Sequence, residues 1–188
     1  MKSTKLFLPL ALLCLVSCGP SKNKEISNIK SIEDRLFAST VTSFNKESAD
    51  SLLQLYSAFI KKYPGDSLTR KYIFKAGNLY MTEGNGKNAI EMFDKYMTSY
   101  PYDVKTPLCL FFKAFIYETI FNNLDKAQET YILFLEKYPR HEFANDARMS
   151  LNNLGKTPDQ MVAQFEAKKK ADSARVADSV KKIRKKKK

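Results

Sequence analysis

The chain has 188 residues, 44% of them hydrophobic, with 10 Tyr, 13 Phe, 6 Gly, 7 Pro and no Trp. That is apolar material enough for one packed domain or a short array of repeats, and it excludes a collagenous or wholly low-complexity chain. The net charge is +12, but residues 166–188 hold +8 of it and residues 1–17 hold +2, so the body between them is nearly balanced.

The first element is an export signal. Lys2 and Lys5 precede the apolar run 6–16, which is too short to span a bilayer as a helix. The run ends in Leu15, Val16, Ser17 and Cys18, the small-residue cleavage layout of a signal peptide. A Cys at that place resembles a bacterial lipobox. The resemblance implies cleavage before Cys18, lipidation of Cys18 and stable anchoring by two or three acyl chains. Cys14 would leave with the signal, so Cys109, in an apolar stretch, is expected to be a buried free thiol. Residues 18–30 are expected to form a lipidated tether. No Asp follows Cys18 and no acidic cluster occurs nearby. By resemblance to other lipoproteins, that favours the outer membrane of a bacterial envelope, on its periplasmic side.

The body, 31–165, carries an internal repeat. Tyr-Pro occurs at Tyr63-Pro64, Tyr100-Pro101 and Tyr138-Pro139, spaced 37 and 38 residues apart. A period of that length announces stacked helical units. Aligned on the prolines, Leu52, Ala89 and Ala127 correspond; so do Tyr56, Phe93 and Tyr131, then Phe59, Tyr96 and Phe134, then Ile60, Met97 and Leu135. These offsets lie on one face of an α-helix, which each Pro ends. Partner helices are predicted over 31–44, 69–82 and 107–121, the last with Thr106 as cap and Pro107 at its first position. Residues 142–154 are predicted to be a capping helix stopped by Gly155. Thr157, Pro158 and Gln160 then start another, whose Met161, Val162 and Phe165 are expected to dock. Residues 166–188 form a basic tail, frayed or disordered.

Ile73, Ala76, Gly77, Tyr80, Ala89, Phe93 and Pro101 have the spacing of a tetratricopeptide repeat, and the unit 70–101 resembles that family. In 108–139, Ala114, Ala127, Tyr131 and Pro139 fit, while Phe115 stands in the place of the Gly; the unit 33–64 is similar only in its second helix. The resemblance covers about two-thirds of the chain after the signal. It implies an all-α solenoid of antiparallel helix pairs, about three repeats, and the Tyr-Pro endings look like the tetratricopeptide lipoproteins of outer-membrane assembly. It also implies a concave face lined by the first helix of each pair. There, Phe37, Phe74 and Phe112 are expected to form a row flanked by Lys71, Asn78 and Met81, a groove for another envelope protein. The same Phe residues could instead fill the groove internally.

Little points to chemistry. One His and three Cys fall short of the usual four zinc ligands. Gly84, Asn85, Gly86 and Lys87 lack the spacing of a phosphate loop and read as a helix–helix turn. His141 stands alone after Pro139. No cofactor, metal or catalytic residue is expected, and export removes nucleic acid as a partner of the Lys-rich end, leaving anionic surfaces such as lipid headgroups. The expected function is a non-enzymatic, lipid-anchored scaffold that binds a protein. The alternatives are a component of outer-membrane β-barrel assembly and a small-ligand-binding envelope protein or enzyme.

Overall fold

In the computed structural model, which describes residues 21–38 and 45–186, the chain is all α. Eight helices occur among the described residues: α1 (Lys22–Leu36), α2 (Lys46–Lys62), α3 (Ser67–Thr82), α4 (Gly86–Ser99), α5 (Thr106–Thr119), α6 (Leu124–Lys137), α7 (Ala144–Asn153) and α8 (Pro158–Lys186). None is long and apolar enough to cross a membrane. The expected signal peptide and Cys18 lie outside the described residues.

The chain divides into two units, Met1–Leu55 and Tyr56–Lys188. In the first, α1 buries Ile29, Ile32 and Leu36, an i, i+3, i+7 stripe. The helix starts at Lys22, so residues 22–30 are helical and not a loose tether. It stops at Leu36, short of the 44 expected for the first partner helix, and Phe37 caps it.

In the second unit, α3 packs on α4, α4 on α5, α5 on α6 and α6 on α7. Short turns join them, so neighbours run antiparallel, and the arrangement is that of a helical repeat. The second helices carry the positions the sequence aligned. Tyr56, Phe93 and Tyr131 are fully buried, as are Leu52, Ala89 and Ala127, with Phe59, Tyr96 and Phe134 beside them. Each of these helices starts on an Asn side chain: Asn45 accepts from Ser48 N, Asn85 from Asn88 N and Asn123 from Lys126 N.

The turn after each Tyr-Pro repeats its backbone hydrogen bonds. The Tyr63, Tyr100 and Tyr138 carbonyls accept from the N–H three residues on, each at 3.1 Å. In the first two turns that third residue is Asp, whose Oδ1 accepts from Leu68 N and from Lys105 N. In the third it is His141, whose Nδ1 accepts from Phe143 N at 3.2 Å. The lone His is thus a turn residue in the role of an Asp. Thr69 and Thr106 then return their hydroxyls to Tyr63 O and Tyr100 O. Thr106 is therefore not the cap expected from its place before Pro107; it is the first residue of α5 and bonds backwards.

These turns also correct the register of the first helices. Thr69 and Thr106 are 37 apart, not 38, and so are Gly77 and Ala114, and Phe74 and Phe111. Phe74 and Phe111 are each 8% exposed. They contact equivalent rings, Phe74 against Phe93 and Tyr96, Phe111 against Tyr131 and Phe134. Phe111, not Phe112, is the counterpart of Phe74, and Ala114, not Phe115, stands where Gly77 stands. The extra residue lies in the α5–α6 turn, beyond α5, and leaves the register of that helix alone.

After the third turn, α7 buries Ala144 and Ala147. Its Met149, at the place of Phe74 and Phe111, is 61% exposed because no further helix stacks there. Gly155, at φ +74°, ends the segment in a conformation open mainly to glycine. Thr157 and Gln160 then form the expected reciprocal cap. Beyond it α8 continues to Lys186 as one helix, and Met161, Val162 and Phe165 do not dock but are 38%, 58% and 68% exposed.

Gly77 marks a close approach of α3 to the Phe93 ring of α4. A Cβ there would stand 2.6 Å from Phe93 Cε1, whereas one at Gly65 would meet nothing within 4 Å. Overpacking costs about 1–3 kcal/mol, against about 1 kcal/mol gained by Ala over Gly in a helix. Gly77→Ala should therefore lower the urea midpoint, while Gly65→Ala leaves it unchanged. Cys109 is buried, and burial, with the Asp103 charge adding to it, pushes its thiol up to about 12. In peptide mapping after iodoacetamide at pH 8, Cys109 should stay unmodified in the folded chain and react fully in denaturant.

Candidate functional site

The α4–α5 turn differs from the other two in what it exposes. Tyr102 and Val104 occupy places held by Gly65 and Ser67 in the first turn and by Arg140 and Glu142 in the third. They are 98% and 84% exposed. Beside them lies an open cleft of about 410 Å³, bounded by the start of α3 (Ser67, Leu68, Arg70, Lys71, Phe74), by Tyr96, and by residues 103–105.

Asp103 organises this cleft. Its Oδ1 accepts from the Tyr96 hydroxyl at 2.6 Å and from Lys105 N at 2.9 Å, and its Oδ2 accepts from Arg70 Nη1 at 2.6 Å. Tyr96 stands where the other repeats have Phe59 and Phe134, so only this repeat has a hydroxyl to offer. Lys105 places its Nζ 4.5 Å from the Phe74 ring centroid. Lys71 completes the basic rim, exposed on α3.

Burial alone would push the Asp103 carboxyl up. The hydrogen bonds from Tyr96 and Lys105 N, with the Arg70 and Lys105 charges, outweigh it and hold the carboxyl below its ordinary value of 3.8. Burial, then the bond to Asp103, raises the Tyr96 phenol. The Arg70 side chain is half exposed, so its ion pair contributes little by itself. The bonds donated to the shielded carboxylate matter more.

The expected Phe residues differ in their surroundings. Phe37 is 62% exposed at the end of α1. Phe74 is buried against Phe93 and Tyr96 and is among the residues that line the cleft. Phe112 is half-buried, 5.6 Å from Phe93 and 6.4 Å from Phe74. Asn78 and Met81 are half-buried, and Asn78 Oδ1 is shielded with no hydrogen-bond partner in the protein. Of the expected residues, the cleft brings together Lys71 and Phe74. Sequence reading missed Arg70, Tyr96, Tyr102, Asp103, Val104 and Lys105. The signal was two apolar residues in the one Tyr-Pro turn where repeat logic calls for Gly, Ser or charge.

A second open concavity, about 470 Å³, lies at the opposite helix ends, bounded by Lys87, Ile90, Tyr117, Phe121, Asn123 and Lys126. Lys126 lies 5.5 Å over the Tyr117 ring, and the exposed Phe121 is 6.0 Å from it. Next to Tyr117 on α5, Glu118 accepts from the Tyr131 hydroxyl. Among the described residues no three His, Cys, Asp or Glu side chains gather as a metal site would need. No family model matches the chain, and no curated protein matches it in sequence.

The Asp103 bonds give a pH test. A carboxyl held below its ordinary value stabilises the fold at pH above that value. The contribution is lost as pH falls through the lower, folded-state value. The melting gap between the wild type and Asp103→Asn should therefore be full at pH 7 and close as the solution is acidified below about 4.

Proposed function

We propose that this chain is a lipid-anchored, tetratricopeptide-like scaffold of a bacterial cell envelope that binds another protein through the α4–α5 turn and the cleft beside it. The observation that carries the reading is the pair Tyr102 and Val104, exposed on a turn whose backbone is held at Tyr100 O and Asp103. Rigid, exposed aromatic and aliphatic side chains beside a cationic rim suit the centre of a protein contact, because little ordering entropy is lost when they are covered. Lys71 and Lys105 favour a partner segment that carries acidic groups. Cys18 supplies the anchor.

Two measurements test this. Labelled palmitate should enter the wild type and not Cys18→Ala. A photo-crosslinking residue at position 102 or 104, in intact cells, should capture one discrete partner, whereas the same residue at the exposed position 129 on α6 should capture none. Tyr102→Ser with the crosslinking residue at 104, and Val104→Ser with it at 102, should each weaken that capture with melting unchanged, since both side chains are exposed. Phe74→Ala should instead cost about 3–5 kcal/mol of stability. Equal capture from 102, 104 and 129 would remove the turn as the binding site.

A further inference from the structure

α8 is a 29-residue helix with no buried side chain from Pro158 to Ser179. Nothing in its own fold explains its pattern. At about 100° per residue, Met161, Val162, Phe165 and Val176 fall within one arc of about 100°. Val162, Phe165 and Val176 are each more than half exposed, and Met161 is 38% exposed. The rest of the circumference is Ala, Lys, Arg and other polar residues. From Pro158 to Lys186 there are nine Lys or Arg against four Asp or Glu. Some of the charge is met locally: Arg175 lies 3.9 Å from Asp172 and Lys182 2.8 Å from Asp178. Lys168, Lys169 and Lys170 form an unbroken basic run shortly after Phe165.

We infer that α8 is an interfacial helix that lies on an anionic lipid surface, with its Met161–Val162–Phe165–Val176 stripe in the headgroup boundary. An exposed apolar stripe on a largely polar helix with an excess of Lys suits the boundary between headgroups and acyl chains. Charge selects the occupant. A second copy of α8 would bring two like-charged helices together, whereas anionic headgroups attract each basic residue near the surface. Lys169 and Asp172 also fall within the arc of the stripe; Lys169 reaches water by extending its stem along the apolar face, and Asp172 lies 3.9 Å from Arg175. This contact depends neither on Cys18 nor on the cleft, and it gives the chain a second, reversible hold on a membrane.

The absence of Trp from the sequence makes a direct probe available. The full chain carrying Phe165→Trp would be mixed with vesicles of phosphatidylglycerol and phosphatidylcholine, and with phosphatidylcholine alone. The introduced indole should shift to the blue and be quenched by brominated lipid. Its partitioning should be at least about tenfold stronger on the anionic vesicles. Lys168→Glu, Lys169→Glu and Lys170→Glu together, in the same background, should reduce partitioning by about a hundredfold or more. Circular dichroism would check that the helix remains. An indole that keeps its water-like emission on anionic vesicles would overturn the inference. So would a blue shift that needs no lipid and grows with protein concentration, which would assign the stripe to self-association.

Discussion

One backbone carbonyl in each turn sets how the helices follow one another. A helix that ends at Tyr-Pro leaves carbonyls without intrahelical partners, and Pro can supply no N–H to them. In this chain the Tyr carbonyl is taken up at once by the N–H three residues on, and in two turns also by a Thr hydroxyl six residues on. Thr69 and Thr106 are buried, at 2% and 5% exposed. Both Thr hydroxyls stand at the same place in the repeat, and each ties the carbonyl of the preceding Tyr to the start of the next helix.

With the turns alike, the ring contacts repeat. Phe74 reaches Phe93 and Tyr96 from α3 to α4, and Phe111 reaches Tyr131 and Phe134 from α5 to α6. Gly77 and Ala114 let the paired helices come close enough for this. The same turn holds the Asp103 backbone, and one substitution within the repeat, a Tyr at 96 in place of Phe, adds the hydroxyl that Asp103 accepts. The cleft is therefore a local elaboration of a structural turn. Its exposed Tyr102 and Val104 are held out to solvent by hydrogen bonds that serve the fold.

The second helices are legible in the sequence because Pro ends them and every apolar position counts back from it. Leu52, Tyr56 and Phe59 and their counterparts are all buried as that count requires. The first helices come out one residue wrong when the 38-residue spacing of Pro101 and Pro139 is applied to the whole unit, because the extra residue sits in the α5–α6 turn, near Ile120 and Phe121. A spacing between two prolines does not say where between them an insertion falls; Thr69 and Thr106 do. The expected Phe row carries the same offset, since it matches Phe112 to Phe74, whereas Phe111 makes the equivalent ring contacts. Lys71 and Asn78 near Phe74 suggest solvent, but a helix position is exposed or buried by what stacks on it, and Tyr96 and Phe93 do so from another helix. The start of α1 is missed when apolar periodicity is sought only from residue 31, although Ile29 already lies on its stripe.

The turn carbonyl is tested most directly by deleting the hydroxyls while keeping their shape. Equilibrium urea unfolding of Thr69→Val and Thr106→Val would remove one hydrogen bond in each turn and leave volume almost unchanged. If the Tyr carbonyls set the joints, each variant loses about 1 kcal/mol or more with an unchanged denaturant slope. Two variants as stable as the wild type would contradict the account and leave the joints to ring packing alone.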